Sequence, residues 1–309
     1  MRKLGVVGDL IEDVVVWLGE PLRYASDTRC RVHRARGGSA ANVAAHAAGL
    51  VPTVFIGCVG ADRLGDSLVA ELAATGVEVR VQRRGTTGTA VILVDPDGER
   101  TMFPDRGAAG ELRALDPVWT ADLAHLHLAA YAFMVEPVRS TAIAAAEAVL
   151  AGGGTISVDA SSTGVIADLG VEGLLQAVRE LRARYFFANA DEAAALDLFG
   201  QGRTAIGETT VIAKDGPRPT TVLEPGREPV RVAVPPVPEV RDLTGAGDAF
   251  AAGFLSAVLR GGTPVAAAHA GHRCAARVLG TPGSTGLVGQ AGYSATAVAF
   301  SENTTSRPG

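Results

Sequence analysis

The chain has 309 residues, 47% of them apolar, and a formal net charge of -5. This length and composition suffice for a large core, and an α/β enzyme of this size often folds as one domain. The positive charge is almost all arginine, with only Lys3 and Lys214 as lysines, and no basic run could follow a nucleic-acid backbone or an anionic membrane. We therefore expect a small-molecule partner, and neither nucleic acid nor membrane.

The cysteines and the N-terminal segment indicate the cellular compartment of the protein. Three cysteines without a close pair argue against a disulfide framework or a thiolate metal site, and they fit a reducing cytoplasm. No stretch approaches the roughly 20 apolar residues of a membrane span. The start "MRKLGVVGDLIED" reaches acidic residues too early for a signal peptide. We expect a soluble, cytoplasmic protein.

The first 76 residues alternate between β-rich and Ala/Leu-rich runs, which is typical of βαβ units around a parallel sheet. "KLGVVGD" predicts a buried strand that ends at Gly8, and "TVFIGCVG" predicts another strand. "SAANVAAHAAGL" predicts a helix with Ser39 as its N-cap and Gly49 near its end. "LGDSLVAELAATG" predicts a helix closed by Gly76.

Two segments, residues 13–36 and 77–104, interrupt this alternation. "TAVILVDPDGERTMF" has two strand-like arms around a β-turn signal at Asp95 to Gly98, which indicates a hairpin. Residues 13–36 also contain strand-like runs and no long helix. Together they predict a small sheet that projects from the main body. It could be a lid over a site or a plain edge hairpin, and composition alone does not separate the two.

The alternation resumes at Leu126. Helices are predicted for "EPVRSTAIAAAEAVLAGG", "LLQAVRELRA" and "DEAAALDLFG", and strands for "TISVDA", "YFFANA" and "TTVIAKDG". Two helices rich in small residues follow, at about residues 246–260 and 264–279. The polar end, which includes "SENTTSRPG", is expected to be flexible.

Several nucleotide-binding motifs are absent from the sequence. No Gly-x-x-x-x-Gly-Lys-Ser/Thr sequence occurs, which excludes a Walker-type phosphate loop. "TGAGDAF" contains Gly-x-Gly without the third glycine of the dinucleotide fingerprint, and it lies far from the first strand. The sequence therefore gives little support to a dinucleotide-binding fold.

The stretch "DLTGAGDAFAAGFLSAVL" combines glycines and an acid at the start of a helix. Gly245 and Gly247 flank Ala246, so backbone N–H groups without intrahelical partners are open to an anion such as a phosphate. Asp248, in the first turn, could complement the helix dipole or accept a proton. Capping does not require the glycines, and they favour the proton-accepting role.

Three further patterns are compatible with a site or with plain structure. In "GGSAANVAAHAAGL", Gly37 and Gly38 allow close approach of a ligand or tight helix packing, and Asn42 lies one turn into the helix. In "NADE", Glu192 could hold a magnesium-bound water, with Asn189 beside it, or could be a first-turn acid. The histidines of "HLHL", His125 and His127, have no third metal ligand in view, so a core-edge or substrate-adjacent role is expected.

From about residue 3 to residue 285 these motifs resemble, in order, those of the ribokinase (PfkB) family of carbohydrate kinases. "GGSAAN" is similar to the family's Gly-Gly-x-x-x-Asn signature, "NADE" to its Asn-x-x-Glu motif and "DLTGAGD" to its Asp-Thr-x-Gly-Ala-Gly-Asp signature. The resemblance implies a ribokinase-like α/β fold with a mostly parallel central sheet flanked by helices. It implies one domain over residues 1–290, a small β-sheet lid from residues 13–36 and 77–104, and a flexible tail at residues 291–309.

The same resemblance implies ATP-dependent phosphorylation of a primary hydroxyl of a sugar-like substrate. Asp248 would be the base, and the N–H groups of Gly245, Ala246 and Gly247 the anion hole. Substrate would be bound by a set of residues near the first strand and the lid: Asp13, Gly38, Asn42 and, for a substrate with a carboxylate or phosphate, Arg106. A homodimer formed through the lids is a further expectation.

On the nucleotide side the resemblance implies a second set of contacts: Asn189, Glu192, Lys214, Gly216, Thr244 and His272. Glu192 would bind Mg²⁺ through water, and Asp242 would lie at a monovalent-cation site, such as one for K⁺. Two departures from the family pattern are Leu243, where a small hydroxyl residue is usual, and Pro219, where glycine is common.

Two alternatives stay open at this point. The substrate could be a nucleoside such as adenosine or pseudouridine, or the chain could be a catalytically decayed sugar- or nucleotide-binding protein, with Leu243 as the sign of decay. The side chains that converge on Asp13 should discriminate between substrates. Arg106 there would indicate an acidic sugar, and an apolar or aromatic floor would indicate a nucleoside.

Overall fold

The computed structural model describes residues 2–237, 240 and 244–280. These residues form the following strands: β1 (Lys3–Val7), β2 (Ile11–Leu18), β3 (Cys30–Gly37), β4 (Thr53–Val59), β5 (Glu78–Arg83), β6 (Thr87–Val94), β7 (Arg100–Gly107), β8 (Leu123–Ala129), β9 (Thr155–Asp159), β10 (Tyr185–Ala188), β11 (Thr210–Asp215), β12 (Arg218–Leu223) and β13 (Val230–Val232). They also form the following helices: α1 (Ser39–Ala48), α2 (Arg63–Ala74), α3 (Val138–Ala151), α4 (Thr163–Leu169), α5 (Val171–Glu180), α6 (Ala190–Ala195), α7 (Gln201–Ala205), α8 (Ala246–Leu259) and α9 (Pro264–Leu279).

Nine strands form one large sheet in the order β13-β12-β11-β10-β9-β8-β1-β4-β5. The strands from β11 to β5 in this order are parallel, whereas β12 and β13 are antiparallel additions at one edge. The chain builds outward from β1 in both directions, so the order reverses beside β1. The prediction of a mostly parallel central sheet is confirmed.

Helices cover both faces of this sheet. Successive side chains of each strand point to opposite faces, so each strand contributes to two hydrophobic cores. On β4, Val54, Ile56 and Cys58 join the core under α3, α4 and α5. Phe55 and Val59 of the same strand join the core under α1, α2, α8 and α9. The result is a three-layer α/β/α body.

The two predicted β segments pair with each other in a separate four-stranded sheet, β3-β2-β6-β7. In this small sheet β2 and β6 run parallel and the other pairs are antiparallel. The prediction of a projecting sheet is confirmed, but the range 77–104 is wrong at both ends. Its first part, β5, pairs with β4 in the large sheet because α2 returns the chain there as a βαβ unit, and β7 continues to Gly107.

The small sheet has little core of its own. Ile11, Ala90 and Ala109 form its one small buried cluster within the described residues. Four large apolar side chains on its strands are exposed: Trp17, Val32, Met102 and Phe103. Its stability therefore depends on its attachment to the body or on a further contact.

The predicted helices agree with the structure except that the helix predicted for "DEAAALDLFG" ends at Ala195 and that one cap differs. Helix α1 begins after Gly38, whose φ of 96° is favourable only for glycine, so Gly38 and not Ser39 is the N-cap. The Ser39 hydroxyl bonds elsewhere, as shown below. Helices α8 and α9 match their predicted ranges. None of the described helices is long and apolar enough to cross a bilayer, and the predicted tail at residues 291–309 lies outside the described residues.

Candidate active site

Polar side chains collect at the edge of the large sheet where its parallel strands end. Asp9 follows β1, Asp159 ends β9, Asn189 follows β10, and Lys214 lies near the end of β11. In open α/β sheets, ligands bind outside the carboxyl ends of the strands, beside the point where strand order reverses. Helix α8 delivers Asp248 to the same edge, so the candidate site lies there.

Asp248 is a partly exposed carboxylate in the first turn of α8. The Ser39 hydroxyl donates to its Oδ1 at 2.7 Å, and the Asn42 amide donates to its Oδ2 at 3.2 Å. Burial raises the pKa of Asp248 to about 6, with repulsion from Asp159 adding to the rise and the bonds from Ser39 and Asn42 opposing it. A carboxylate with such a pKa is suited to accepting a proton near neutral pH.

The start of α8 leaves its first N–H groups without a side-chain cap. Gly245, the N-cap, has φ of 77° in the left-handed region, and the helix continues through Ala246 and Gly247. A β-carbon on Gly247 would lie 3.5 Å from Lys214 Nζ. The helix start and the ammonium group together form a site for an anion.

Lys214 connects this anion site to Asp159. Its Nζ lies 3.0 Å from Asp159 Oδ2, and the two side chains are only 16% and 15% exposed. Burial lowers the pKa of Lys214, but attraction from Asp159 and Glu192 outweighs it and the pKa lies above its usual value. Lys214 therefore carries its charge inside the site.

Asn189 and Glu192 form a capping box at the start of α6. Glu192 Oε2 accepts from the Asn189 backbone N–H at 2.8 Å, and Asn189 Oδ1 accepts from the Glu192 N–H at 2.9 Å. Glu192 is thus a first-turn acid that caps α6, and its role toward magnesium stays a prediction. Burial, with repulsion from Asp159, also raises the pKa of Glu192 to about 7. A buried carboxylate of this kind would gain from a nearby cation.

Gly37 and Gly38 lie so close to other atoms of the protein that neither position has room for a side chain. A β-carbon on Gly37 would lie 2.1 Å from Asp13 Oδ1, and one on Gly38 would lie 2.2 Å from the Asp9 carbonyl oxygen. The close approach that the sequence predicts is therefore real, but the approaching groups are the Asp13 carboxylate and the β1–β2 connection. The glycines shape the site from behind, and their predicted contact with substrate stays a prediction.

Gly38→Ala is expected to destabilise the protein by about 2 kcal/mol or more, because alanine is strained at positive φ and its β-carbon would overlap a backbone oxygen. Gly49→Ala at the other end of α1 is the matched control, since Gly49 has a negative φ and no atom lies within 4 Å of the position that its β-carbon would take. That change should be neutral or slightly stabilising. Urea unfolding of both variants tests this, and equal stability of the two would contradict it.

Asp13 lies on β2 between two alanines, Ala35 of β3 and Ala90 of β6. Burial raises its pKa to about 6, and the charge of Arg36 opposes this rise. The positive charge that acts on Asp13 is thus that of Arg36. The predicted contact of Asp13 with a substrate hydroxyl stays a prediction.

Arg106 is engaged by a carboxylate of the protein. Its Nε and Nη2 donate to the two oxygens of Asp9 at 2.8 and 2.6 Å, and its Nη1 donates to the Tyr131 carbonyl at 3.1 Å. It is partly buried and is not the surface charge that such an arginine usually is. This pairing gives no support to the predicted role of Arg106 as the cation that selects an acidic sugar.

The histidines singled out in the sequence are buried. His125 and His127 both bond to the Ser157 hydroxyl at 2.8 Å, and burial lowers their pKa to about 3 and about 4. No group of three His, Cys, Asp or Glu residues within the described part of the chain could hold a metal ion. His272 is buried between α8 and α9, with its ring 5.0 Å from Phe250, and this placement gives no support to a nucleotide contact.

A cavity of about 310 Å³ lies beside Lys214 on the β11–β12 side. Pro219 and Thr221 of β12 and Phe199 contribute to its wall. Gly216, with φ of 54°, forms the turn between β11 and β12 next to it. Pro219 thus lines the nucleotide side of the predicted site, where the family pattern has glycine.

The small sheet contacts the loop before α8. Arg100, at the start of β7, donates a hydrogen bond to the Thr244 hydroxyl. This contact joins the small sheet to the loop that precedes the anion site, and the role of the sheet as a lid stays a prediction. Asp242 and Leu243, the predicted cation-site residue and the family departure, lie outside the described residues.

Four residues of the site were missed in the sequence: Asp9, Arg36, Ser39 and Asp159. Asp9 and Asp159 each end a buried β run, in "GVVGD" and "TISVDA", and an acid at the carboxyl end of a parallel strand is a usable signal. Ser39 and Arg36 gave no comparable signal, because their bonds run to α8 and α1 and not to sequence neighbours.

Comparison with known proteins agrees with this geometry. Residues 1–288 match the pfkB family carbohydrate kinase model. An ATP-dependent ribose-1-phosphate kinase from Halopiger xanaduensis is 33% identical over 257 residues, 80% of this chain and 81% of that protein. A fructokinase from Klebsiella pneumoniae is 32% identical over 278 residues, 85% of this chain and 86% of that protein.

Solved structures show the same fold. The adenosine kinase from Sinorhizobium meliloti superimposes with a TM-score of 0.80 at 24% sequence identity, covering 92% of this chain and 95% of that one. The ribokinase-like fold that the motifs implied is therefore confirmed. The chain belongs to the pfkB family of carbohydrate kinases.

Proposed function

We propose that the protein transfers the γ-phosphate of ATP to a primary hydroxyl of a small sugar, with Asp248 as the proton acceptor. One observation carries this proposal. A carboxylate with a pKa of about 6 lies in the first turn of a helix whose N–H groups are uncapped and whose start faces a lysine. A base beside an anion site suits a hydroxyl that attacks phosphorus.

In the proposed reaction the substrate hydroxyl gives its proton to Asp248 as its oxygen attacks the γ-phosphorus. The new oxygen–phosphorus bond forms as the bond from that phosphorus to the bridging oxygen of ADP breaks, and ADP leaves with the electron pair. The N–H groups of Gly245, Ala246 and Gly247, with Lys214, face the charge that develops on the phosphoryl oxygens. Asp13 and Asn42 orient the sugar.

The carboxylates at this edge fit Mg²⁺, which is usually bound in kinases by one or two carboxylates, waters and phosphate oxygens. Burial, and after it repulsion from Asp159, raises the pKa of Glu192, and a divalent cation would relieve both effects. When bound, Mg²⁺ would neutralise charge on the triphosphate. Both carboxylates would hold it, with water between Glu192 and the ion. The proposed K⁺ site at Asp242 lies outside the described residues.

By their names, one of the two relatives is a ribose-1-phosphate kinase and the other is a fructokinase. Both names support a sugar substrate. The alanines that flank Asp13 fit a compact sugar hydroxyl. The structural likeness to an adenosine kinase keeps a nucleoside as the second candidate. Two observations support ATP as the phosphate donor: the name of the first relative, an ATP-dependent kinase, and the cavity beside Lys214. We propose that Asn189, Gly216 and Thr244 contact the nucleotide there.

An ADP-release assay tests the proposed function. The purified chain with MgATP is offered ribose, ribose 1-phosphate, fructose, ketodeoxygluconate, adenosine and pseudouridine. Turnover with a sugar supports the proposal, and turnover with a nucleoside alone selects the second candidate. No turnover with any acceptor, while ATP and sugars still raise the melting temperature, would mean a binding protein without catalysis.

Turnover is expected to decrease as the pH falls through about 6, because Asp248 must be ionised to accept the proton and its pKa is about 6. Below that pH, kcat at saturating ATP and sugar should drop about tenfold per pH unit. The measurement is kcat from pH 5 to 8, with circular dichroism at each pH to verify that the fold is intact. A kcat that stays flat down to pH 5 would exclude Asp248 as the base.

We also propose a cytoplasmic location and a homodimer. All three cysteines are free, which fits a reducing compartment. The exposed apolar residues of the small sheet, Trp17 and Phe103 among them, would be covered if two small sheets packed together. Light scattering of the intact chain gives the mass in solution, and a monomer at micromolar concentration would contradict the dimer.

A further inference from the structure

Arg36, near the end of β3, is a fully buried cation beside the site. Its side chain has no exposed surface. Its Nη1 donates to Asn42 Oδ1 at 3.0 Å. Its Nε and Nη2 are buried and have no hydrogen-bond partner among the described residues.

Stability does not explain this arginine. A buried charge without an ion pair costs free energy, and a well-packed apolar side chain in its place is often neutral or stabilising. Burial lowers the pKa of Arg36. The charges of Glu71, Asp13 and Asp248 oppose this fall, but none of these carboxylates, all within the described chain, forms an ion pair with Arg36. The placement calls for a role other than packing.

The role follows from the direction of the hydrogen bonds. A guanidinium only donates, so Arg36 requires the oxygen of the Asn42 amide to face it. The NH₂ of that amide then faces Asp248 Oδ2, where it lies at 3.2 Å. The opposite orientation would put donor against donor at Arg36 and acceptor against acceptor at Asp248, so Arg36 fixes the amide in the orientation that serves the carboxylate.

We propose that Arg36 is a positioning residue for the proton acceptor: through the Asn42 amide, it holds the Asp248 carboxylate in its accepting orientation and supports its charge. This inference rests on the proposed function, in which Asp248 is the base. Arg36 does not touch the reacting atoms. It acts through Asn42, and its cation adds to the field at both Asp13 and Asp248.

The groups that face Asp248 come from several elements. Ser39 and Asn42 of α1 donate to it, Asp159 of β9 repels it, and Lys214 of β11 attracts it. Arg36 of β3 adds a second positive charge, and Tyr131 lies near enough for the charge of Asp248 to act on its phenol. Removing Arg36 would remove a cation and release the Asn42 amide. Both changes disfavour the ionised carboxylate, so the pKa of Asp248 should rise.

The test is Arg36→Met, which removes the charge and the donor but keeps an unbranched buried side chain. At pH 6 we expect kcat to fall about fivefold, with the acid limb of the pH profile moved about one unit upward and the KM for ATP unchanged. Arg36→Lys, which retains a charge and a donor, should recover part of the loss. Arg34→Met is the matched control, because Arg34 lies two residues away on the same face of β3 but is exposed and paired with Glu12.

A double-mutant cycle asks whether Arg36 acts through Asn42. In an Asn42→Ala background, Arg36→Met should lower kcat much less than it does alone, since the amide that it orients is gone. Equal effects in both backgrounds, or a reduced kcat without any shift of the acid limb, would overturn the proposal and leave a structural role. Arg36→Lys provides the same readouts where the methionine variant does not fold.

A readout without turnover separates this inference from the proposed function. The Asp248 carboxyl carbon is followed by NMR against pH in protein with ¹³C-labelled aspartate, assigned by its loss in Asp248→Asn. A pKa of Asp248 that is higher in Arg36→Met than in wild type supports the inference even if no acceptor in the panel is phosphorylated. An unchanged pKa overturns it even if wild type is an active kinase.

Discussion

Asp248→Asn is expected to reduce kcat by roughly 10²- to 10⁴-fold, the range for loss of a general base. Asparagine has the same shape and can still bond to Ser39 and Asn42, but it cannot take up a proton at neutral pH. ATP binding, which depends on the helix start and on Lys214, should be largely retained. Steady-state kinetics with ATP affinity by calorimetry measure the two quantities separately.

The control for this variant is Asp66→Asn. Asp66 is also a first-turn aspartate, on α2, but its side chain is 74% exposed and its ion-pair partner is Arg83, which has no bond to the described residues around Asp248. If Asp248 only complements the dipole of its helix, the two substitutions should behave alike, with a loss below about 1 kcal/mol and near-normal turnover. Near-normal turnover of the Asp248→Asn variant would show that Asp248 is not the base.

Lys214→Met is expected to have the second largest effect. It would leave the largely buried carboxylates of Asp159 and Glu192 without their cation, and breaking such a pair by removing one partner costs about 3–5 kcal/mol. Loss of the ammonium beside Gly247 should also weaken ATP binding about tenfold or more, since hydrogen bonds to charged groups contribute about 1.5–3 kcal/mol. Denaturant unfolding and ATP titration measure both losses.

The chain offers a natural comparison, because its only other lysine is Lys3. Lys3 also makes ion pairs, at 2.8 Å with Glu78 and 2.6 Å with Asp122, but both partners are more than 40% exposed. Lys3→Met should therefore cost no more than about 1 kcal/mol and leave ATP binding unchanged. Equal losses of stability and equal ATP affinities in the two lysine variants would contradict the proposal that Lys214 neutralises buried carboxylates and binds ATP.

Much of the fold could be predicted from the sequence, because local periodicity determines most of it. The Ala-rich helices α8 and α9 and the buried strands β1 and β4 have patterns that only one element type satisfies. The membership of strands in sheets could not be predicted in the same way. β5 looks like part of the projecting segment along the chain, and only its pairing with β4 places it in the large sheet.

The candidate site was predictable where a backbone property marks it. The glycines before Asp248 indicated an uncapped helix start, and the structure has one. Partners could not be predicted, because they depend on contacts between residues far apart in sequence. Ser39 bonds to a residue 209 positions away, and Arg106 to one 97 positions away. For this reason a predicted N-cap proved to be a partner of Asp248, and a predicted substrate contact proved to be a partner of Asp9.

The Asp13 carboxylate occupies the space that a side chain on residue 37 would need. In evolutionary terms the two positions are therefore not independent. A mutation that gives residue 37 any side chain would displace the carboxylate, so a lineage could accept it only together with a change at position 13 or a shift of β2. Among descendants of this gene, variation at the two positions should be inherited jointly, and a new substrate preference could begin with a mutation at residue 37, because it would move the Asp13 carboxylate.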